Sequence, residues 1–155
     1  ADHCASSSGK TELPMDKYRI PAMIYAPNTI QPKMVNQLMS QIDIMPTLFG
    51  LLHFKYQSEF YGQDVLQPDY KPRAFIATYE DLGLIKNNKL TILSPVKKTK
   101  QFDLQIHEND IDSNFQIYYD EVPRKIMDES LVDEAIAYYQ TASYLLKNKK
   151  YQRLE

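Results

Sequence analysis

Two short apolar runs, Leu82 to Ile85 and Leu90 to Leu93, flank the pair Asn87-Asn88. This arrangement limits the fold more than any other stretch. A two-residue hairpin turn needs a positive φ at its centre, which asparagine tolerates at low cost. The spacing therefore predicts a tight antiparallel hairpin. Ala74-Phe75-Ile76-Ala77-Thr78-Tyr79 reads as a further strand. Gln101 to Ile106 and Phe115 to Tyr119 read as two more, around an acidic loop from His107 to Asp112. A helix follows from about Ser130 to Lys147. Leu131, Ala135, Tyr138, Tyr139, Ala142, Leu145 and Leu146 keep a helical period, and lysines gather where the helix dipole favours cations.

The N-terminal half has a different texture. Residues 1–18 carry Ser6, Ser7, Ser8, Gly9 and Pro14 without an apolar period, which predicts a loop. Ile20-Pro21-Ala22-Met23-Ile24-Tyr25-Ala26-Pro27 is a short apolar run closed by prolines, expected as a strand buried on both faces. Asp43 reads as a helix N-cap with Pro46 in the first turn. Ile44, Met45, Leu48, Leu51 and Leu52 then give one buried face to a helix over 43–53. Residues 57–72 read as loop. The order is loop, strand, helix, antiparallel strands, helix. It predicts an α/β piece followed by a smaller antiparallel sheet with a covering helix.

Composition excludes several classes. The chain has 155 residues, enough for one ordinary domain, with 43% hydrophobic and 25% charged residues. Its net charge of −2 and lack of a basic stripe interleaved with aromatics argue against a nucleic-acid partner. Lys97-Lys98-Thr99-Lys100 and Lys147-Asn148-Lys149-Lys150 read as solvated surface. No apolar stretch approaches the ~20 residues that span a bilayer. Gly numbers 4, and no glycine-rich nucleotide loop occurs. Cys4 is the single cysteine, so the chain holds no internal disulfide, and a small packed residue is its expected role.

The chemistry-bearing residues lie at the start: Asp2-His3, then Gly9-Lys10. A carboxylate and an imidazole side by side can hold a divalent cation. Two donors do not complete a site, since three or four are usual. The chain has no initiator Met, and its opening reads as a cut through the active site of a larger enzyme. His53 follows the apolar helix and reads as a helix-end cation. His107 lies in a loop without the pattern of a calcium site, so a solvated turn is expected. Tyr118-Tyr119 and Tyr138-Tyr139 are expected in core and interface positions.

Taken in order, Ala1-Asp2-His3, Gly9-Lys10, Ile20-Pro21 and Gln41-Ile42-Asp43-Ile44-Met45-Pro46-Thr47-Leu48 resemble the C-terminal half of the sulfatase-like branch of the alkaline phosphatase superfamily. The wording is closest to the bacterial phosphoglycerol transferases and lipoteichoic-acid synthases. Phe60-Tyr61-Gly62-Gln63-Asp64-Val65-Leu66 resembles a further family segment, and the likeness covers roughly residues 1–95. It implies the C-terminal part of an alkaline-phosphatase-like α/β/α sandwich over 1–72, with an antiparallel subdomain and C-terminal helix over 73–155. By the same resemblance Asp2 and His3 are metal ligands for Mn, Zn, Mg or Ca. Lys10 is a catalytic cation that reaches the anionic group of a phosphodiester or sulfate-ester substrate. The nucleophile and remaining ligands are expected upstream of Ala1, and the chain alone is expected to be inactive. Asp2-His3-Cys4 departs from the Asp-His-Gly or Asp-Asn-Gly of many sulfatases and points toward the transferases.

The resemblance further implies missing N-terminal membrane helices and a catalytic domain outside the cytoplasm. Self-association of the chain is expected if strand edges lie open. The alternative is a self-contained α/β binding or interaction module without chemistry, in which residues 1–12 form a tail.

Overall fold

A five-stranded antiparallel sheet organises this computed structural model, which describes residues 13, 15, 18–58, 61–106 and 119–150. Its strands are β1 (Ala74–Ala77), β2 (Leu82–Lys86), β3 (Lys89–Ser94), β4 (Lys98–Ile106) and β5 (Tyr119–Pro123), and they pair in chain order. The asparagine pair makes the β2–β3 turn as expected. Asn87 and Asn88 have φ of 52° and 55°, and Lys86 faces Lys89 across the turn. The last strand takes in Tyr119 of the expected segment and runs beyond it to Pro123. Residues 115–118 and the acidic loop 107–112 lie outside the described residues.

Both faces of the sheet are covered, which is why β2 and β3 read as nearly continuous apolar runs. One face presents Ala74, Ile76, Ile85, Leu90, Ile92 and Leu104, and Leu13 and Met15 of the N-terminal segment pack on it. Helix α2 (Glu129–Lys147) lies on the other face and buries Leu131, Val132 and Ala135. Its starts and stops follow local chemistry. Asp128 precedes the first turn, and its backbone carbonyl accepts the amides of Leu131 and Val132. The Asp128 carboxylate is held below its usual pKa by hydrogen bonds from Ser130 and Lys89. Tyr139 pins the helix to the sheet by donating toward the carbonyls of Ile76 (3.2 Å) and Gly83 (2.8 Å). Tyr138 meets Phe75 edge-on with centroids 5.0 Å apart. The expected core role of this tyrosine pair is what the structure shows.

The apolar run 20–27 is not a strand. It runs as irregular chain into a turn closed by the amides of Thr29 and Ile30 on the Ala26 carbonyl. Met23 and Tyr25 stand 87% and 80% exposed. A run of this kind becomes a buried strand only where it finds a ladder partner, and the β1 edge of the sheet is already occupied. The Phe75 amide donates to Ser40 Oγ at 3.0 Å, and the Ala77 carbonyl accepts from Tyr18 Oη at 2.7 Å. Helix α1 (Ile44–Leu51) is shorter than expected. It buries Pro46 and Thr47, while Met45 and the following Leu52 are about half exposed. His53 follows it with φ 56°, the left-handed conformation common after a helix C-terminus.

Candidate active-site segment and its buried anchor

Asp2, His3, Cys4 and Lys10 lie outside the described residues, as does His107. The structure does show how the chain that follows Lys10 is held. Leu13 is 1% exposed and Met15 6% exposed, both in the core cluster. The Met15 amide donates to Glu121 Oε1 at 3.2 Å, and Tyr18 donates to the end of β1. Three successive anchors thus fix the course of the chain shortly after Lys10. Beside Leu13, a cavity of about 20 Å³ is lined also by Asp81, Ile92, Ser94, Lys100, Phe102 and Glu121. That volume suits one water and no organic substrate.

Apart from these contacts, the region after the N-terminal segment is held by a buried ion pair. Asp43 and Arg73 are 0% and 1% exposed, and the guanidinium grips the carboxylate through both oxygens at 2.9 and 3.0 Å. The amides of Ser40 (2.9 Å) and Gln63 (2.8 Å) donate to the same two oxygens. The Tyr70 hydroxyl lies 3.1 Å from Asp43 Oδ2 and 2.9 Å from the Leu38 carbonyl. Arg73 also donates to the Tyr61 carbonyl at 3.1 Å. Thr47 extends the network, giving its proton to the Asp43 carbonyl (2.7 Å) and accepting the Val65 amide (3.1 Å). A buried charge survives only when its lone pairs are filled in this way. Asp43 therefore joins the start of α1, the loop 61–65 and the entry to β1.

Electrostatics follow from the burial. Tyr70 is pushed up to about 12, first by desolvation and then by the adjacent Asp43 charge. For Arg73, burial opposes the charged form, but the Asp43 hydrogen bonds and charge more than offset it and raise the pKa. Arg73 Nε is buried without a hydrogen-bond partner among the described residues. The guanidinium carbon lies 5.8 and 5.5 Å from the ring centres of Tyr70 and Phe75, where the cation gains from the π faces instead. Asp43 was expected as a simple N-cap. It precedes α1, but its side chain bonds back to Ser40 and out to Arg73 rather than capping α1 amides. Nothing local in the sequence marks Arg73 or Tyr70 as its partners.

The metal question turns on donor chemistry. Among the described residues, no group of three or more His, Cys, Asp or Glu could hold an ion. A carboxylate with an imidazole, as in Asp2-His3, is a donor set that suits Mn²⁺ or Zn²⁺.

Two comparisons bear on this arrangement. The sulfatase family model matches residues 1–54, the stretch from Asp2-His3 through α1. A protein in the alkaline phosphatase superfamily from Vibrio parahaemolyticus, solved by crystallography, shares the fold with a TM-score of 0.79 and 25% identity. The alignment covers 98% of this chain and 35% of that one, so the chain spans about a third of its relative's length. The described fold, an α/β arrangement closed by an antiparallel sheet and C-terminal helix, is the counterpart of that region. The sulfatase match over the opening residues and the fold shared over nearly all of the chain support assignment to the alkaline phosphatase superfamily, whose members are generally metal-dependent.

Proposed function

We propose that this chain supplies the C-terminal part of the catalytic domain of a metal-dependent, sulfatase-like phosphoglycerol transferase or phosphoesterase. The whole enzyme transfers or hydrolyses a phospho-alcohol or sulfate ester through a covalent intermediate, on a nucleophile expected upstream of Ala1. One observation carries this reading: the sulfatase match begins at residue 1 and takes in Asp2, His3 and Lys10 together. In this reading Asp2 and His3 hold a divalent cation with ligands from the rest of the domain. The ion, when bound, lowers the nucleophile's pKa and screens charge on the ester. Lys10 adds a point charge toward the ester's non-bridging oxygens. Leu13, Met15 and Tyr18 hold the chain beyond Lys10 against the sheet. A domain acting outside the cytoplasm, tethered by membrane helices, is part of the same proposal, and an anionic phosphodiester or sulfate ester is its substrate class.

The test uses the whole gene product. Asp2→Asn and His3→Ala are each expected to lower bound metal, measured by atomic emission, and to reduce turnover of an aryl phosphodiester by at least a hundredfold. Lys10→Met should cut turnover and leave metal content unchanged. Full activity and full metal content in His3→Ala would overturn the assignment. Faster cleavage of an aryl sulfate than of the phosphodiester would move the enzyme to the sulfatase side.

A further inference from the structure

The up-and-down strand order carries the β1–β2 turn and the β3–β4 turn to the same end of the sheet. Each turn holds a large apolar side chain out in solvent. Tyr79 is fully exposed, and Val96 is 89% exposed. Val96 has φ 62°, a conformation that strains a β-branched residue and fixes its side chain at the apex of the turn. Lys97 and Lys98 follow it and are exposed, whereas Glu80 is the acid beside Tyr79. The two turns are two strand spacings apart, roughly 10 Å. They can therefore touch one flat surface together. Single exposed apolar residues are ordinary. An aromatic ring and an aliphatic side chain on neighbouring hairpin tips, with two lysines behind them, are a different pattern. A tyrosine suits the headgroup level of a bilayer, and lysines there draw anionic lipid.

We infer that this end of the sheet docks on an anionic lipid bilayer, with Tyr79 and Val96 in the headgroup region and Lys97 and Lys98 against lipid phosphates. The docking does not depend on the catalytic reading. It would, however, bring the bilayer to the end of the sheet where Leu13 enters the core beside Asp81 and Ser94.

Vesicles of phosphatidylglycerol and phosphatidylcholine, against phosphatidylcholine alone, test this. The chain has no tryptophan, so Tyr79→Trp is a lone reporter. Its emission should shift to the blue with the anionic vesicles and stay unchanged with the neutral ones. Sedimentation should show the chain with anionic vesicles at low salt and released near 1 M salt, where the screening length falls to about 3 Å. Each lysine near such a surface contributes about five-fold in binding, so Lys97→Glu with Lys98→Glu should weaken it at least roughly 25-fold. Val96→Gly suits the left-handed turn and keeps the fold, yet it too should weaken binding. Unchanged Tyr79→Trp emission, indifference to the lysine substitutions, or concentration-dependent quenching by self-association without vesicles would each overturn the proposal.

Discussion

At the scale of single residues, the fold depends on a carboxylate and a guanidinium 30 positions apart, Asp43 and Arg73. Removing one member leaves the other as an uncompensated buried charge. Arg73→Met is therefore expected to destabilise by about 3–5 kcal/mol, read as a fall in the urea midpoint. Asp43→Leu combined with Arg73→Met should recover part of that loss, because neither charge is then buried. A single-variant loss below about 1 kcal/mol would mean that water reaches the pair. Gly62 makes the same network sterically possible. A Cβ there would run into the Ile42 carbonyl oxygen, a backbone atom that cannot step aside. Gly62→Ala should cost about 1–3 kcal/mol and loosen the Gln63 amide from Asp43, visible as faster amide exchange. The sequence shows the limit of reading at this scale. Asp43 was conspicuous from its place before Ile44-Met45-Pro46-Thr47, but hydrogen bonds to positions 63, 70 and 73 leave no trace in a local pattern. The candidate ligands Asp2 and His3 and the catalytic Lys10 were legible only as an ordered series, since each dipeptide by itself is common.

At the scale of elements, legibility follows the range of the interaction. The β2–β3 hairpin and α2 were readable because turn chemistry and helical period are local. The run 20–27 was not, since an apolar stretch is a strand only if a neighbour pairs with it. Here Ser40 and Tyr18 already occupy the β1 edge. The N-terminal segment was read as loop, which hid its packing role: Leu13 lies in the core against β1 and β2. Gly83 is the point of contact. A Cβ at Gly83 would stand 2.7 Å from Ile76 Cγ1 and 3.2 Å from Leu13 Cδ1. The Ile76 side chain is the nearer group and must shift first, and Leu13, packed in the same cluster, is pressed along with it. Gly83→Ala is expected to cost about 1–3 kcal/mol. It should also raise amide exchange at Met15 and Tyr18 more than at the β3–β4 ladder. Equal exchange in both places would show that the sheet, not the segment, absorbs the strain.

At the scale of the whole molecule, two phenols tie separate parts together and give stability a defined pH dependence. Tyr139 joins α2 to β1 and β2, while Tyr70 joins the loop before β1 to the Asp43 pair. Both are raised from 10.0 to about 12, in each case chiefly by desolvation. Between those values the folded chain keeps protons that the unfolded chain has released. Stability must then fall as pH rises, because the unfolded state binds fewer protons. The contribution is complete below pH 10 and is lost by about 12. Urea midpoints by circular dichroism should therefore decline across that window, and tyrosinate absorbance of these two groups should appear together with unfolding. Tyr139→Phe should lower stability at neutral pH by about 1 kcal/mol, the net worth of a hydrogen bond, and flatten part of the alkaline slope. Tyr70→Phe should flatten a further part, and Tyr18, raised by desolvation at the end of β1, carries part of what is left. The two effects should add, since the phenols share no partner. A midpoint that stays level from pH 10 to about 12 would mean that solvent already reaches both hydroxyls, and that α2 is held on the sheet by its apolar face alone.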